Sequence, residues 1–153
     1  MRIAYLHYHL KTGGVTTVIR QQVQAVKDNC ESLVFSGSPP ESDFPAKAVP
    51  VQGLGYDSET NRICRPQAVA GQILETLHRH WPEGCDLLHV HNPTLAKNRH
   101  LLNILGHLQN AGIRLLCQVH DFAEDGRTQA YFKEPYPAGC HWAAINSRDF
   151  ALL

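Results

Sequence analysis

Histidines are the residues best equipped for chemistry in this 153-residue chain: there are ten, and several stand where short apolar runs end. His7-Tyr8-His9 closes the first such run, His89-Val90-His91-Asn92 the fourth and His120-Asp121 the fifth, while Asn146-Ser147 follows the sixth. Three readings suit that pattern. Neutral imidazoles with one carboxylate are a usual ligand set for zinc or iron, so His9, His91 and His120 with Asp121 describe a metal-dependent hydrolase. The same imidazoles with Asn92 equally make a polar cleft for a sugar or sugar phosphate, bonding its hydroxyls. Alternatively these residues only cap a sheet, with His7 and His89 as ordinary hydrogen-bonded histidines inside strands. The five cysteines are scattered, none in a Cys-x-x-Cys pair, and Cys117 inside an apolar run reads as a packed thiol. Cys140-His141 suggests a nucleophile and base, but adjacent side chains rarely converge on one atom. No cysteine or carboxylate pattern independently marks a metal site, so the rim histidines are expected to hold none.

A second feature sits between the first apolar run and the first amphipathic stretch, at Lys11-Thr12-Gly13-Gly14. A strand that passes through glycines into a helix delivers free backbone N–H groups and a positive dipole end to one point, which suits a phosphate or other anion. The bland alternative is a βα turn in which Gly13 and Gly14 only supply a positive φ. The dinucleotide fingerprint is absent.

The elements that must position these residues alternate along the whole chain. Ile3–His7 reads as a buried strand, and Val15–Val26 as a helix with Val15, Val18, Ile19, Val23 and Val26 spaced for one face. Strands follow at Ser32–Ser36 and, weakly, Ala46–Val51, separated by a Pro, Ser and Gly-rich loop. A polar excursion with Tyr56, Asp57 and Arg62 precedes a helix that Pro66 opens as its first residue. Then come a strand at Asp86–His91, a helix at Leu95–Ala111 with Gly112 at its end, and a strand at Ile113–His120. A polar segment with Asp125-Gly126-Arg127 and Tyr131-Phe132 leads to a sixth strand at Trp142–Asn146, and Ser147 reads as the cap of a helix barely begun. Strands alternating with helices give an α/β fold, a doubly wound parallel sheet. In such sheets ligands bind at the carboxyl ends of the strands, at the topological switch point. In the common strand order the first, fourth and fifth strands are neighbours, so His9, His91 and His120 share one rim with the Gly13-Gly14 loop.

The totals narrow the classes. With 43 % apolar and 18 % charged residues the composition is that of one globular domain and argues against disorder. Fourteen basic residues balance fourteen acidic ones, which argues against nucleic acid as a partner. No apolar run reaches membrane-spanning length, no signal peptide opens the chain, and the scattered odd cysteines read as reduced cytoplasmic thiols. A peripheral place at the membrane stays open. An α/β domain rarely finishes one turn into an uncovered helix, so residues 1–153 read as a piece of something longer.

Met1-Arg2-Ile3-Ala4-Tyr5 leading to Gly13-Gly14-Val15, then Leu88-His89-Val90-His91-Asn92, Val119-His120-Asp121 and Ala144-Ile145-Asn146-Ser147 resemble, in order and spacing, the N-terminal half of retaining glycosyltransferases. The resemblance is to the large group 1, or family 4, type, which includes sucrose-phosphate synthases and bacterial mannosyl transferases, and it runs the length of the chain. It implies a Rossmann-like half of a two-domain GT-B architecture, cut before its last helix and the C-terminal donor domain. By the same resemblance Gly13 and Gly14, with Thr16 and Thr17 at the helix start, approach the diphosphate of a nucleotide-sugar donor. His120 lies beside the transferred sugar as the candidate catalytic residue, with Asp121 next to it. His91 and Asn92 face a sugar, lipid or other small acceptor, and Ser147 completes the substrate-binding set. Such enzymes use the nucleotide-sugar as co-substrate with no cofactor or metal, and stabilise the charge of the departing diphosphate on one face. The basic residues and paired glutamates of the family's donor domain are absent, so the chain by itself is expected not to turn over. Segments 37–66 and 122–141 match nothing in the family and are expected to shape the acceptor site. A stand-alone Rossmann-like binding or regulatory module without catalysis is the alternative from another class.

Overall fold

A computed structural model of the chain describes residues 1–59, 64–121 and 126–151; Arg62 and Asp125, named above, lie outside the described residues. Its strands are β1 (Arg2–Leu6), β2 (Glu31–Ser36), β3 (Lys47–Pro50), β4 (Leu87–His91), β5 (Leu115–Val119) and β6 (His141–Ala144). They form one parallel sheet in the order β3-β2-β1-β4-β5-β6. The helices are α1 (Gly14–Val26), α2 (Pro66–His80), α3 (Leu101–Asn110) and the single turn α4 (Ser147–Phe150). The order reverses between β1 and β4, so the chain is a doubly wound α/β domain of Rossmann type with its switch point there.

Alternation along the strands decides which residue faces which layer. Ala4 and Leu6 of β1, Leu33 and Phe35 of β2, and Leu88 and Val90 of β4 point to one face, packed by Val69, Ile73 and Leu77 of α2 and Ile104, Leu105 and Leu108 of α3. Ile3 and Tyr5 point to the other, where Ile19 and Val23 of α1 and Val34 of β2 close a smaller core. His89 and His91 share that second face, since their rings stack on each other at 4.4 Å and the Tyr5 ring lies 5.4 Å and 6.3 Å from them.

Several boundaries differ from the sequence expectation, each for a local reason. α3 begins at Leu101 rather than Leu95, because Asn98 is spent as a loop clamp. Its side-chain N–H donates to the carbonyls of Gly53 (2.6 Å) and Gly55 (2.9 Å), and its Oδ1 accepts from His100 N (2.9 Å). Asn146, and not Ser147, caps α4, with Oδ1 accepting from Asp149 N at 2.9 Å, which leaves Ser147 as the first helical residue. Gly13 is extended (φ 170°, ψ 173°) and Gly14 is not among the positive-φ residues, so neither glycine is there to supply a positive φ. β1 ends at Leu6, which puts His7 beyond the strand instead of inside it.

Candidate functional site

At the carboxyl ends of β1 and β4, on the switch point, lies a cavity of about 350 Å³. Its walls include Gly13, Gly14, Val15 and Thr16 at the start of α1, His7 and His9 after β1, Asn92, Leu95 and Lys97 after β4, Asp121 after β5, and Tyr56, Arg127 and Ala130 from loops. The entrance to α1 has no side-chain cap and no acidic residue in its first turn, so its leading N–H groups keep their charge for a ligand. Among the described residues only the carbonyl of Gly13 is engaged there, accepting from Thr17 N (3.0 Å) and Thr17 Oγ1 (2.9 Å). Thr16 is 6 % exposed, and its hydroxyl has no partner among the described residues. The glycine loop is tied to the 37–45 loop by Thr12, whose backbone N–H donates to Glu41 Oε2 at 3.0 Å.

Asn92 holds the rim of β4 against that of β5. It adopts φ 51°, a left-handed conformation that asparagine tolerates better than most residues. Its Oδ1 accepts from His120 N at 2.7 Å, its Nδ2 donates to Asp121 Oδ2 at 2.9 Å, and its own N–H donates to the Gln118 carbonyl at 2.8 Å. Asp121 is also paired with Arg127 at 3.1 Å. Behind this clamp the imidazoles are linked. His91 Nδ1 and His120 Nε2 share a proton across 3.0 Å, while His89 Nε2 donates to Gln118 Oε1 (2.9 Å), which also accepts from Gln22 of α1 (2.8 Å). His91 is 1 % exposed and its Nε2 finds no partner among the described residues, a defect that typically costs about 1–3 kcal/mol.

The two histidines after β1 have fixed tautomers. His7 Nδ1 lies 3.2 Å from the His91 carbonyl, which only accepts, so Nδ1 carries the proton and Nε2 keeps a lone pair. His9 Nδ1 accepts from Lys11 N (3.3 Å), leaving its Nε2–H to donate to the Tyr56 hydroxyl at 3.2 Å. Burial pushes the basicity of these rings down: His7 to about 3 and His89 to about 4. His91 is driven down further by burial and by His89, and His120 is lowered by burial against the opposing pull of Asp121. Burial, with the Lys11 charge adding to it, lowers His9 as well. The cluster is therefore neutral near pH 7. It offers hydrogen bonds, with positive charge supplied by α1, Lys97 and Arg127.

Of the residues singled out in the sequence, Gly13, Gly14, Thr16, Asn92 and Asp121 line this cavity together with His9. His91 and His120 are brought next to each other but do not wall it, and Ser147 lies exposed at the start of α4, apart from it. Among the described residues no group of three His, Cys, Asp or Glu side chains is placed to hold a metal ion, and His91 Nδ1 lies 3.0 Å from His120 Nε2. Tyr56, Arg127 and Ala130 lie in the segments expected to shape the acceptor site without being singled out, whereas His7, Leu95 and Lys97 were not expected there. Only His7 carried a signal, its place at the carboxyl end of the first strand.

Neither a family model nor a curated protein matches the sequence. Solved structures with some likeness include a UDP-glucosyltransferase from Polygonum tinctorium capable of glucosylating indoxyl, at 8 % identity and a TM-score of 0.48, and the apo form of UGT2 from Phytolacca americana, at 6 % and 0.45. In both cases 80 % of this chain aligns with 30 % of the other, so the chain spans under a third of those proteins. The fold assignment rests on the sheet order itself.

Proposed function

We propose that this chain is the acceptor-side domain of a glycosyltransferase that moves a sugar from a nucleotide-sugar donor to an acceptor with retention of configuration. One observation carries the reading: the cavity at the switch point joins the uncapped N-terminus of α1 to a rim of neutral hydrogen-bonding groups. A departing diphosphate needs the first, and a polyhydroxylated sugar the second. In this reading Gly13, Gly14 and Thr16 meet the diphosphate, where preorganised N–H donors stabilise charge as it develops. Asn92 and Asp121 meet hydroxyls; His120 beside the transferred sugar and His91 toward the acceptor are assigned by resemblance only, since this ring-bonded pair does not wall the cavity. Ser147 belongs to the same set by resemblance only. The donor's base and ribose are held by a second domain, and the chain alone is inactive.

The test is amide-resolved NMR titration of the 153-residue chain. Simple sugars should perturb the amides of Asn92 and Asp121, whereas UDP-glucose and GDP-mannose should bind with Kd weaker than about 1 mM, a free energy under about 4 kcal/mol. Failure of every sugar to perturb those amides would sink the reading. A nucleotide-sugar Kd near 1 μM, about 8 kcal/mol, would mean that the donor site is complete here.

A further inference from the structure

A second, smaller cavity of about 170 Å³ lies beside the one at the switch point, walled by Gly37 and Ser38 after β2, by Gln52 and Gly53 after β3, and by Tyr8 and Glu59. Among the described residues the two cavities have only Tyr56 in common. The wall between them is one ring thick. That ring meets Tyr8 edge-on (centroids 5.2 Å apart, planes at 60°) and His9 likewise (5.1 Å, 76°), and its hydroxyl accepts from His9 Nε2 at 3.2 Å. Its backbone neighbours are bonded to the loop after β4. Asn98 donates to the carbonyls of Gly53 and Gly55, Asp57 N–H donates to the Lys97 carbonyl at 2.8 Å, and the Asp57 carboxylate accepts from Arg99 N at 3.0 Å. Surface loops are ordinarily mobile, but this one is anchored on both sides of a half-buried aromatic, which fixes the ring in place.

Building on the glycosyltransferase reading, we propose that Tyr56 determines acceptor size: its ring is a fixed partition that confines the bound sugar to a single ring and closes off the cavity behind it. The volumes agree. A cavity of about 350 Å³ stands at the low end of small-molecule sites, which run from about 300 to 1,000 Å³, whereas the two cavities joined fall well inside that range. The smaller one is already furnished for a second sugar ring, since Ser38, Gln52 and Glu59 present side chains that bond hydroxyls. What closes it is the bulk of the tyrosine, and the His9 bond to the hydroxyl only steadies that bulk. The ring comes from segment 37–66, which matches nothing in the resembled glycosyltransferases, so the partition is a feature of this chain.

Calorimetry on the 153-residue chain with glucose and maltose is the test, with thermal unfolding of each variant beside it. The unaltered chain should bind glucose about tenfold or more tightly than maltose. Tyr56→Ala should join the cavities and raise maltose affinity about tenfold, to the level of glucose or above. Tyr56→Phe should keep the preference for glucose, because the ring and not the hydroxyl forms the wall. Gln52→Trp, which fills the second cavity from an exposed position, should cancel the maltose gain when combined with Tyr56→Ala. Where Tyr56→Ala fails to fold, Tyr56→Leu, shorter but still apolar, gives the same comparison. Equal binding of the two sugars by the unaltered chain would overturn the partition and leave the glycosyltransferase reading intact. So would a folded Tyr56→Ala or Tyr56→Leu that keeps the preference for glucose, or a maltose gain that survives Gln52→Trp. Binding of neither sugar would overturn both.

Discussion

Gly14 shows how a residue's role changes once its geometry is known. A side chain there meets nothing within 4 Å of its Cβ position, and the backbone needs no positive φ. Gly14→Ala should therefore stabilise the fold, by about 0.4–1 kcal/mol, through the lower entropy of the unfolded chain. A bulkier Gly14→Val should leave unfolding nearly unchanged but fill the space before the α1 N–H groups, weakening a phosphate-bearing ligand about tenfold or more. Thermal unfolding beside calorimetry separates the two effects, and unaltered ligand affinity would remove the loop from the site. Asn92 behaves in the opposite way. Asn92→Ala deletes the bonds to His120 N and Asp121 and strains a left-handed backbone, so a loss of about 2–4 kcal/mol is expected. A loss below about 1 kcal/mol in urea unfolding would show that the clamp is dispensable.

Among the elements, those with strong periodicity were legible and those fixed by tertiary partners were not. The 3.6-residue spacing of Val15, Ile19 and Val23 located α1 because one face had to meet Tyr5 and Val34. By contrast, Leu95 looks like the first apolar position of α3, yet it belongs to the cavity wall, since Asn98 diverts the chain to reach Gly53 and Gly55. Nothing in the sequence announces a partner that distant. The same limit hid Lys97, which reaches the site from a loop, whereas the strand-end residues could be placed from the strand order alone. Gly37 is another such case: a Cβ there would lie 2.2 Å from Gly55 N and 2.8 Å from the Tyr8 carbonyl, all backbone. Gly37→Ala should cost about 3 kcal/mol or more and loosen the loop that carries Tyr56. Leu105→Ala, in the α3 core, should cost about 2–5 kcal/mol without touching the cavity. Denaturation and ligand titration of both variants would tell them apart, because only the first should weaken binding.

Over the whole molecule, the buried imidazoles make stability depend on pH. His7 and His89 are depressed from the ordinary 6.5 to about 3 and about 4, and His91 is depressed further, so the unfolded chain binds protons that the folded one refuses. The stabilisation is complete above about pH 6.5 and is lost as pH falls toward those values, by roughly 1.4 kcal/mol per pH unit for each histidine. Urea unfolding at about pH 7.5, 6 and 5 should show a midpoint falling steeply below about pH 6. A flat profile over that range would contradict the neutral, sealed cluster.

The central position of β1 has a kinetic consequence. Its second neighbour is far away in the chain: Arg2 bonds to Asp86, 84 residues on. On a ribosome adding about 5–20 residues per second, the first strand waits roughly 4–17 seconds for that neighbour, with one edge unpaired. Such long-range closure makes folding slow and leaves the nascent Ile3–Leu6 segment a target for chaperones.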